Sequence, residues 1–263
     1  MHETPYHQAS GLGSLARSHS ARLVAVVRHG DETAELPLLW RLCLTWVKLG
    51  YPVTVLDAGS VESADNPGLA QLLECPYDAC DSNQDVSAWT VLPAATGLQA
   101  LRSSEEISNE LTRRLGSLFS DDGVVVLYGN ADTLLGLLPH TPMQPLMVVS
   151  SAPKSLLKSY LALKRLLGTG YLTPLVVDPS APATSQRISA NPATTLADCA
   201  KNFLGHELKW IRLQSKQDDS APASDLQRMA LRILENALPL TDRWAHMASG
   251  GTKIGARHSS RSH

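Results

Sequence analysis

The octet RHGDETAE at residues 28–35 sits between an apolar run at 24–27 and an apolar-rich stretch at 36–49. This is where a strand-loop-helix unit would present its chemistry. A loop that binds nucleotide phosphates offers glycine amides, a lysine and a hydroxyl to the phosphates and magnesium. Here one glycine, Gly30, stands among the carboxylates Asp31, Glu32 and Glu35, and there is no lysine. Carboxylates facing a triphosphate would repel it. A second apolar run at 53–56 ends in Asp57. An acid at that position can serve metal–nucleotide chemistry, but alone it serves equally well to cap the next turn. Asp57 and Gly30 are therefore the residues left for a cofactor, and binding of ATP and magnesium is expected to be lost.

Other clusters offer little chemistry. Cys75 and Cys80 in CPYDAC have a spacing open to metal, yet no second pair or nearby histidine completes a site. With Cys43 and Cys199 they read as free thiols, and no metal is expected. Histidines fall mostly near the ends of the chain, at His2, His7, His19, His246, His258 and His263.

The elements that must position these residues follow from hydrophobic patterning. Short apolar runs alternate with longer amphipathic segments, which is the pattern of an α/β domain with a mostly parallel central sheet flanked by helices in three layers. Strands are expected at 23–27, 53–56, 88–92, 123–128, 145–149, 174–177 and 208–213. Helices are expected at 36–49, 68–74, 104–119, 154–168, 194–204 and 223–237, with a short one at 6–16. The residues expected beyond the strands' carboxyl ends are 28–35, 57–60, 93–97, 129–132, 150–154 and 178–179, and a small ligand would bind there. Residues 1–20 form a polar N-terminal segment, 21–248 the α/β domain, and 249–263 a Gly, Ser, Arg and His tail that reads as disordered.

The formal charge of −2 gives no electrostatic case for nucleic-acid binding. No apolar run approaches the roughly 18 residues of a membrane-spanning helix, and the first twenty residues lack the apolar core of a secretory signal. A cytoplasmic location is the expectation.

Four blocks spread over residues 7–235 resemble one family. HQASGLGSL at 7–15 resembles an Asp-Gln-Ala-x-Gly-Leu-Arg motif, with Gln8, Ala9, Gly11 and Leu12 matching and His7 and Gly13 replacing its Asp and Arg. WTVLPAATGLQAL at 89–101 resembles a strand followed by a Pro-Ala-(Ala/Ser)-Ser-Gly loop. The stretch 145–164 resembles a strand, a proline and a Tyr-Ala-x-x-Lys helix. The stretch 198–213 resembles a helix-to-strand passage. Together they look like the MinD/ParA-type P-loop ATPases, and within them the FlhG-type regulators of flagellar number.

The resemblance implies a P-loop NTPase-like fold of MinD/ParA type. It also implies that Gln8, Ala9, Gly11 and Leu12 contact a partner, the SRP-type GTPase FlhF or other flagellar components, with Gln8 orienting a hydrolytic water in that GTPase. The family's own reaction centre is expected to be missing. Its two loop lysines have no counterpart between residues 28 and 39, and the second acid of the Asp57 motif is Gly59. The switch aspartate should fall near Leu127 or Tyr128, and Asp178 stands where a base-contacting asparagine would sit. The chain thus reads as a pseudo-ATPase and not an enzyme, a monomer recruited to the cell pole or inner membrane. The family's membrane helix would correspond to 225–247, whose mixed charge favours an ordinary covering helix. The alternatives are an NTPase with an altered nucleotide site, or a MinD-like accessory protein of another polar or envelope machine such as cellulose secretion.

Overall fold

A computed structural model of the chain describes residues 20–75, 89–102, 107–119, 122–139, 141–152, 154–170, 172–179, 191–213 and 224–240. Near-continuous runs of Val, Leu and Ala form β1 (Arg22–Val27), β2 (Val53–Asp57), β4 (Val124–Gly129), β5 (Leu146–Val148) and β6 (Leu175–Asp178). Such runs suit parallel strands covered on both faces. The edge strands β3 (Trp89–Pro93) and β7 (Lys209–Arg212) are more polar or more exposed. The sheet order is β3-β2-β4-β1-β5-β6-β7, parallel throughout, and the short β8 (Leu238–Pro239) adds to β1 antiparallel.

The period of two along each strand divides the core. Leu23, Ala25 and Val27 of β1 face one layer, with Val125 and Leu127 of β4. Against them pack α2 (Leu69–Glu74), α3 (Ala95–Arg102), α4 (Ile107–Leu118), α5 (Ala131–Leu137), α6 (Ser155–Gly170) and α7 (Pro192–Cys199). Val24 and Val26, with Val53, Val55, Val124 and Val126, face the other layer. That layer consists of α1 (Glu32–Lys48) and α8 (Asp225–Glu235). Trp46 is wholly buried there, and its indole N–H donates to the Ala230 carbonyl at 3.1 Å, tying α1 to α8. Gly50 ends α1 in the left-handed region at φ 89, which lets Tyr51 N donate back to Trp46 O at 3.0 Å.

All seven expected strands are present. The helix expected at 6–16 lies outside the described residues, and among those described the helices depart in three places. First, α1 begins at Glu32, four residues before the apolar pattern starts, so residues 32–35 are not loop but its first turn. Glu32 and Glu35 there suit the positive end of the helix dipole, and a polar first turn hides from any search for hydrophobic period. Second, the segment after Pro93 is helical from Ala95, as α3, and α4 follows separately. Third, α5 is a short helix capped by Asn130, whose side chain accepts from Thr133 N at 2.8 Å. A single apolar stripe of Ala131, Leu134 and Leu137 is too short to separate helix from loop by periodicity. The helix expected at 194–204 is α7 closed by a π-helical turn, Ala200–Leu204.

Candidate functional site

Chain order reverses about β1: the path runs outward to β2 and β3, returns to β4, then crosses to β5. Residues 28–31 lie at the carboxyl end of β1, in the crevice such a reversal opens. Glu35 fills this place from inside. Its side chain is fully buried, and its Oε1 accepts the backbone N–H of His29 at 3.2 Å and of Asp31 at 2.7 Å. Its Oε2 accepts the Tyr128 hydroxyl at 2.6 Å. Two main-chain amides converging on one anionic oxygen make the donor geometry of an anion nest. Here the anion is the chain's own carboxylate.

The surrounding groups hold that carboxylate in place. Tyr128, at the end of β4, stands at the position where the resemblance implies a switch aspartate. Burial and the Glu35 carboxylate push its phenol well above the usual tyrosine range, so it is a fixed donor. Arg28 lies over the Tyr128 ring at 5.9 Å and pairs with Glu32 at 3.1 Å. His29 Nε2 donates to the Val148 carbonyl at 2.6 Å. Its Nδ1 lies 3.3 Å from Glu35 Oε1, buried and without an aligned hydrogen bond. Ser159, His29 and Glu35 thus stand in the order of a hydrolase triad, with Ser159 Oγ 3.4 Å from Nε2. The triad reading fails on access and on proton bookkeeping: Ser159 is wholly buried, and Nε2 is spent on a carbonyl.

Gly30 takes φ +90 and its carbonyl accepts the Lys158 ammonium from α6. The loop has no lysine of its own, and this ammonium reaches it from 128 residues along the chain. Lys158 and Lys154 line a cleft of about 520 Å3 with Gly30, Asp31, Glu32 and Thr33. On the loop itself, burial would raise the Asp31 carboxyl. Hydrogen bonds from Ser150, Ser155 and Thr33 outweigh that and hold it below the usual aspartate range. Ser150 Oγ donates to Asp31 Oδ2 at 2.6 Å and Thr33 Oγ1 to Oδ1 at 2.9 Å.

Asp57 is used as a turn cap. Its Oδ1 accepts from Gly59 N at 2.9 Å and its Oδ2 from Ser60 Oγ at 2.6 Å. Next to it the edge is closed by a residue the sequence did not single out. Glu62 accepts from Thr96 N at 2.7 Å, Gly97 N at 2.8 Å and Ala70 N at 3.3 Å, so it sits on the amino ends of α2 and α3. Burial raises its carboxyl, but the amides of Gly97 and Thr96 prevail and its pKa falls below the usual value. Asp178 is fully buried and pairs with Arg212 at 3.0 Å.

The structure therefore brings Gly30 to the loop cleft and places Asp57 in the next turn, while Gln8, Ala9, Gly11 and Leu12 lie outside the described residues. Glu35, Tyr128, Lys158 and Glu62 are the site residues that sequence reasoning missed. For Glu35 the signal was an acid four residues after Asp31, ahead of an apolar run. Cys80 also lies outside the described residues, so the CPYDAC pair is untested. Burial pushes the Cys43 thiol up to about 12. Among the described residues no group of three His, Cys, Asp or Glu is placed to hold a metal ion, and no helix is long and apolar enough to cross a membrane.

No family model and no curated protein matches the sequence. Among solved structures, the MinC:MinD cell division protein complex of Aquifex aeolicus is similar at a TM-score of 0.54 and 13% identity, over 84% of this chain and 98% of that one. A ParA family ATPase from Chlorobium tepidum TLS is similar at a TM-score of 0.46 and 16% identity, over 82% and 98%. At such identities the first likeness is one of fold alone. The chain has the MinD-like α/β fold, a parallel sheet between two helical layers.

Proposed function

We propose that this chain is a regulatory interaction protein: a pseudo-ATPase on a MinD-like fold, related to FlhG-type regulators and acting in flagellar biogenesis. The observation that carries the first half is the Glu35 carboxylate, which occupies the His29 and Asp31 amides that a phosphate would need. A nucleotide would have to displace a buried anion already bound by two amides and a hydroxyl, and then sit beside Asp31 and Glu32. Phosphoryl transfer depends on positioned cations and metal ligands, and Asp57 is spent on the turn at Gly59 and Ser60. Titration calorimetry with magnesium-ATP is expected to give no heat of binding. A micromolar dissociation constant would overturn the pseudo-ATPase reading.

The flagellar half rests on the resemblance around Gln8, Ala9, Gly11 and Leu12. The chain binds or stimulates an FlhF-type GTPase through its N-terminal segment, as a cytoplasmic protein drawn to the pole or inner membrane by that partner. A pull-down with FlhF, and its GTPase rate with and without Gln8→Ala, tests this. Stimulation that survives Gln8→Ala would remove the motif from the argument.

One observation favours a second reading, an NTPase with an altered site: Lys154 and Lys158 project into the cleft beside Gly30. That reading requires measurable nucleotide affinity, abolished by Lys158→Ala.

A further inference from the structure

One turn-spaced row on α1 lies largely open among the described residues. Glu32, Leu36, Trp40, Leu44 and Lys48 follow one another at intervals of four, and all five are exposed. The three apolar members keep 45%, 53% and 37% of their surface in water. Trp40 meets the edge-strand Trp89 edge-to-face at 4.4 Å between ring centres, and Val91, two residues further along the outermost strand, is 52% exposed. Among the described residues the helical layer on this face stops at α1, and the flank of α1 and the rim of β3 form an exposed apolar step. A contiguous apolar surface of this kind marks an interaction site, whereas single exposed apolar residues do not.

About Trp40 the row is symmetric in its apolar members and opposite in charge at its ends: acid, leucine, tryptophan, leucine, base. We propose that α1 pairs with α1 of a second copy of this chain, antiparallel about a two-fold axis through Trp40. Under that symmetry Leu36 meets Leu44 of the partner subunit, and Glu32 meets the partner's Lys48, at both ends of the contact. The row is an i±4 ridge, and two such ridges pack into each other's grooves at a crossing angle of about −50°. A two-fold contact is self-complementary by necessity, and charge reversal across the centre of one helix is what that requires. Among the described residues Lys48 has no ion pair. Glu32 makes only the exposed pair with Arg28, which can be shared with the partner's lysine. Of the groups lining the Gly30 cleft this contact takes only Glu32, and its apolar centre of Leu36, Trp40 and Leu44 lies outside that cleft, so the dimer does not require nucleotide.

Sedimentation velocity on the full chain, over a concentration series without nucleotide and with EDTA, tests the proposal. The wild type is expected to associate to a dimer with a Kd below on the order of 100 µM, unchanged by added magnesium-ATP. Trp40→Asp should abolish the dimer, with far-UV circular dichroism checking the fold. Each reversal enters twice by symmetry, so Lys48→Glu should raise Kd about five- to tenfold. Glu32→Lys should do the same, and the double reversal Glu32→Lys with Lys48→Glu should return Kd to within about twofold of wild type. Recovery in the double reversal keeps the test decisive even if Trp40→Asp fails to fold. A chain monomeric throughout, or a dimer indifferent to these changes, overturns the proposal. So does a dimer that forms only with nucleotide, or a monomer that uses Trp40 to bind anionic lipid vesicles.

Discussion

Tyr128, the penultimate residue of β4, donates its hydroxyl to Glu35 in the first turn of α1 at 2.6 Å, across 93 residues of sequence. The same carboxylate binds the loop between them through the amides of His29 and Asp31. One buried side chain therefore joins strand, loop and helix at the crevice where ligands enter folds of this kind. Hydrogen bonds to a charged acceptor contribute more than neutral ones, and an acceptor left unpaired in the interior costs its full desolvation.

Tyr128→Phe should accordingly cost about 1.5–3 kcal/mol of stability. Urea unfolding would measure it as a lower midpoint with an unchanged slope. The ring and its packing are kept, so a neutral substitution would mean that the second oxygen of Glu35 is solvated and does not take the tyrosine hydroxyl.

Most of this architecture was legible in the sequence because buried parallel strands leave near-continuous apolar runs, and every one from 23–27 to 208–213 was readable as a strand. Helix α1 was legible only from Leu36, since Glu32 and Glu35 read as polar loop. The site was legible only as an absence of the usual phosphate ligands. That Glu35 turns inward depends on its position one turn past Asp31 and on Tyr128 arriving from a strand far along the chain. Lys158 is equally remote from the loop it contacts. Long-range pairings of this kind leave no local period or motif. Asp57 was placed correctly at the strand end, and its turn-capping alternative is the one its contacts satisfy.

Glycines at this edge should differ in tolerance according to what a methyl group would meet. At Gly97 a Cβ would lie 2.8 Å from Ala70 N and 2.8 Å from Leu69 Cγ, where α2 and α3 abut. Backbone cannot yield as a side-chain tip can, so Gly97→Ala should cost about 1–3 kcal/mol. At Gly59 the new Cβ would meet Arg28 Nη1 at 1.6 Å. That guanidinium is partly exposed and can swing away, giving up its place over Tyr128. Gly59→Ala should therefore cost less than about 1 kcal/mol. Thermal melts of the two variants side by side check the ranking, and the reverse order would place the strain at Arg28.

Glu62 gives the edge a pH dependence whose sign is fixed. Its folded carboxyl sits below the usual glutamate value of 4.5, because the amides of Gly97 and Thr96 outweigh burial. A depressed folded pKa contributes stability that is complete above the unfolded value and lost as pH falls through the folded one. Wild type should therefore exceed Glu62→Gln in unfolding free energy at pH 7. The gap should shrink as pH drops below 4.5, while Asp31, held low by Ser150, Ser155 and Thr33 against its burial, adds its own acid sensitivity to both proteins. Denaturant titrations at pH 7, 5 and 3.5 would follow the gap, which at constant size would remove Glu62 as the titrating group.

The assignment of Glu35 as an internal stand-in for an anion can be tested by taking it away. Glu35→Ala leaves the His29 and Asp31 amides and the Tyr128 hydroxyl without their shared acceptor, and should cost about 3–5 kcal/mol. It also re-opens a seat lined by two amides, with the Lys158 ammonium one residue away on the Gly30 carbonyl. A sulfate ion that binds this seat stabilises by mass action, about 1 kcal/mol when its concentration is roughly five times the dissociation constant. Sulfate also strengthens every fold by exclusion from protein surfaces, so the informative quantity is a difference. The melting temperature of Glu35→Ala should rise with sulfate more steeply than that of wild type, whereas sodium chloride at matched ionic strength should move both alike. Equal slopes in sulfate would show that the two amides form no anion seat once vacated, and Glu35 would then be a buried structural acid. A steeper slope would leave the amides competent and the carboxylate as the group that closes them.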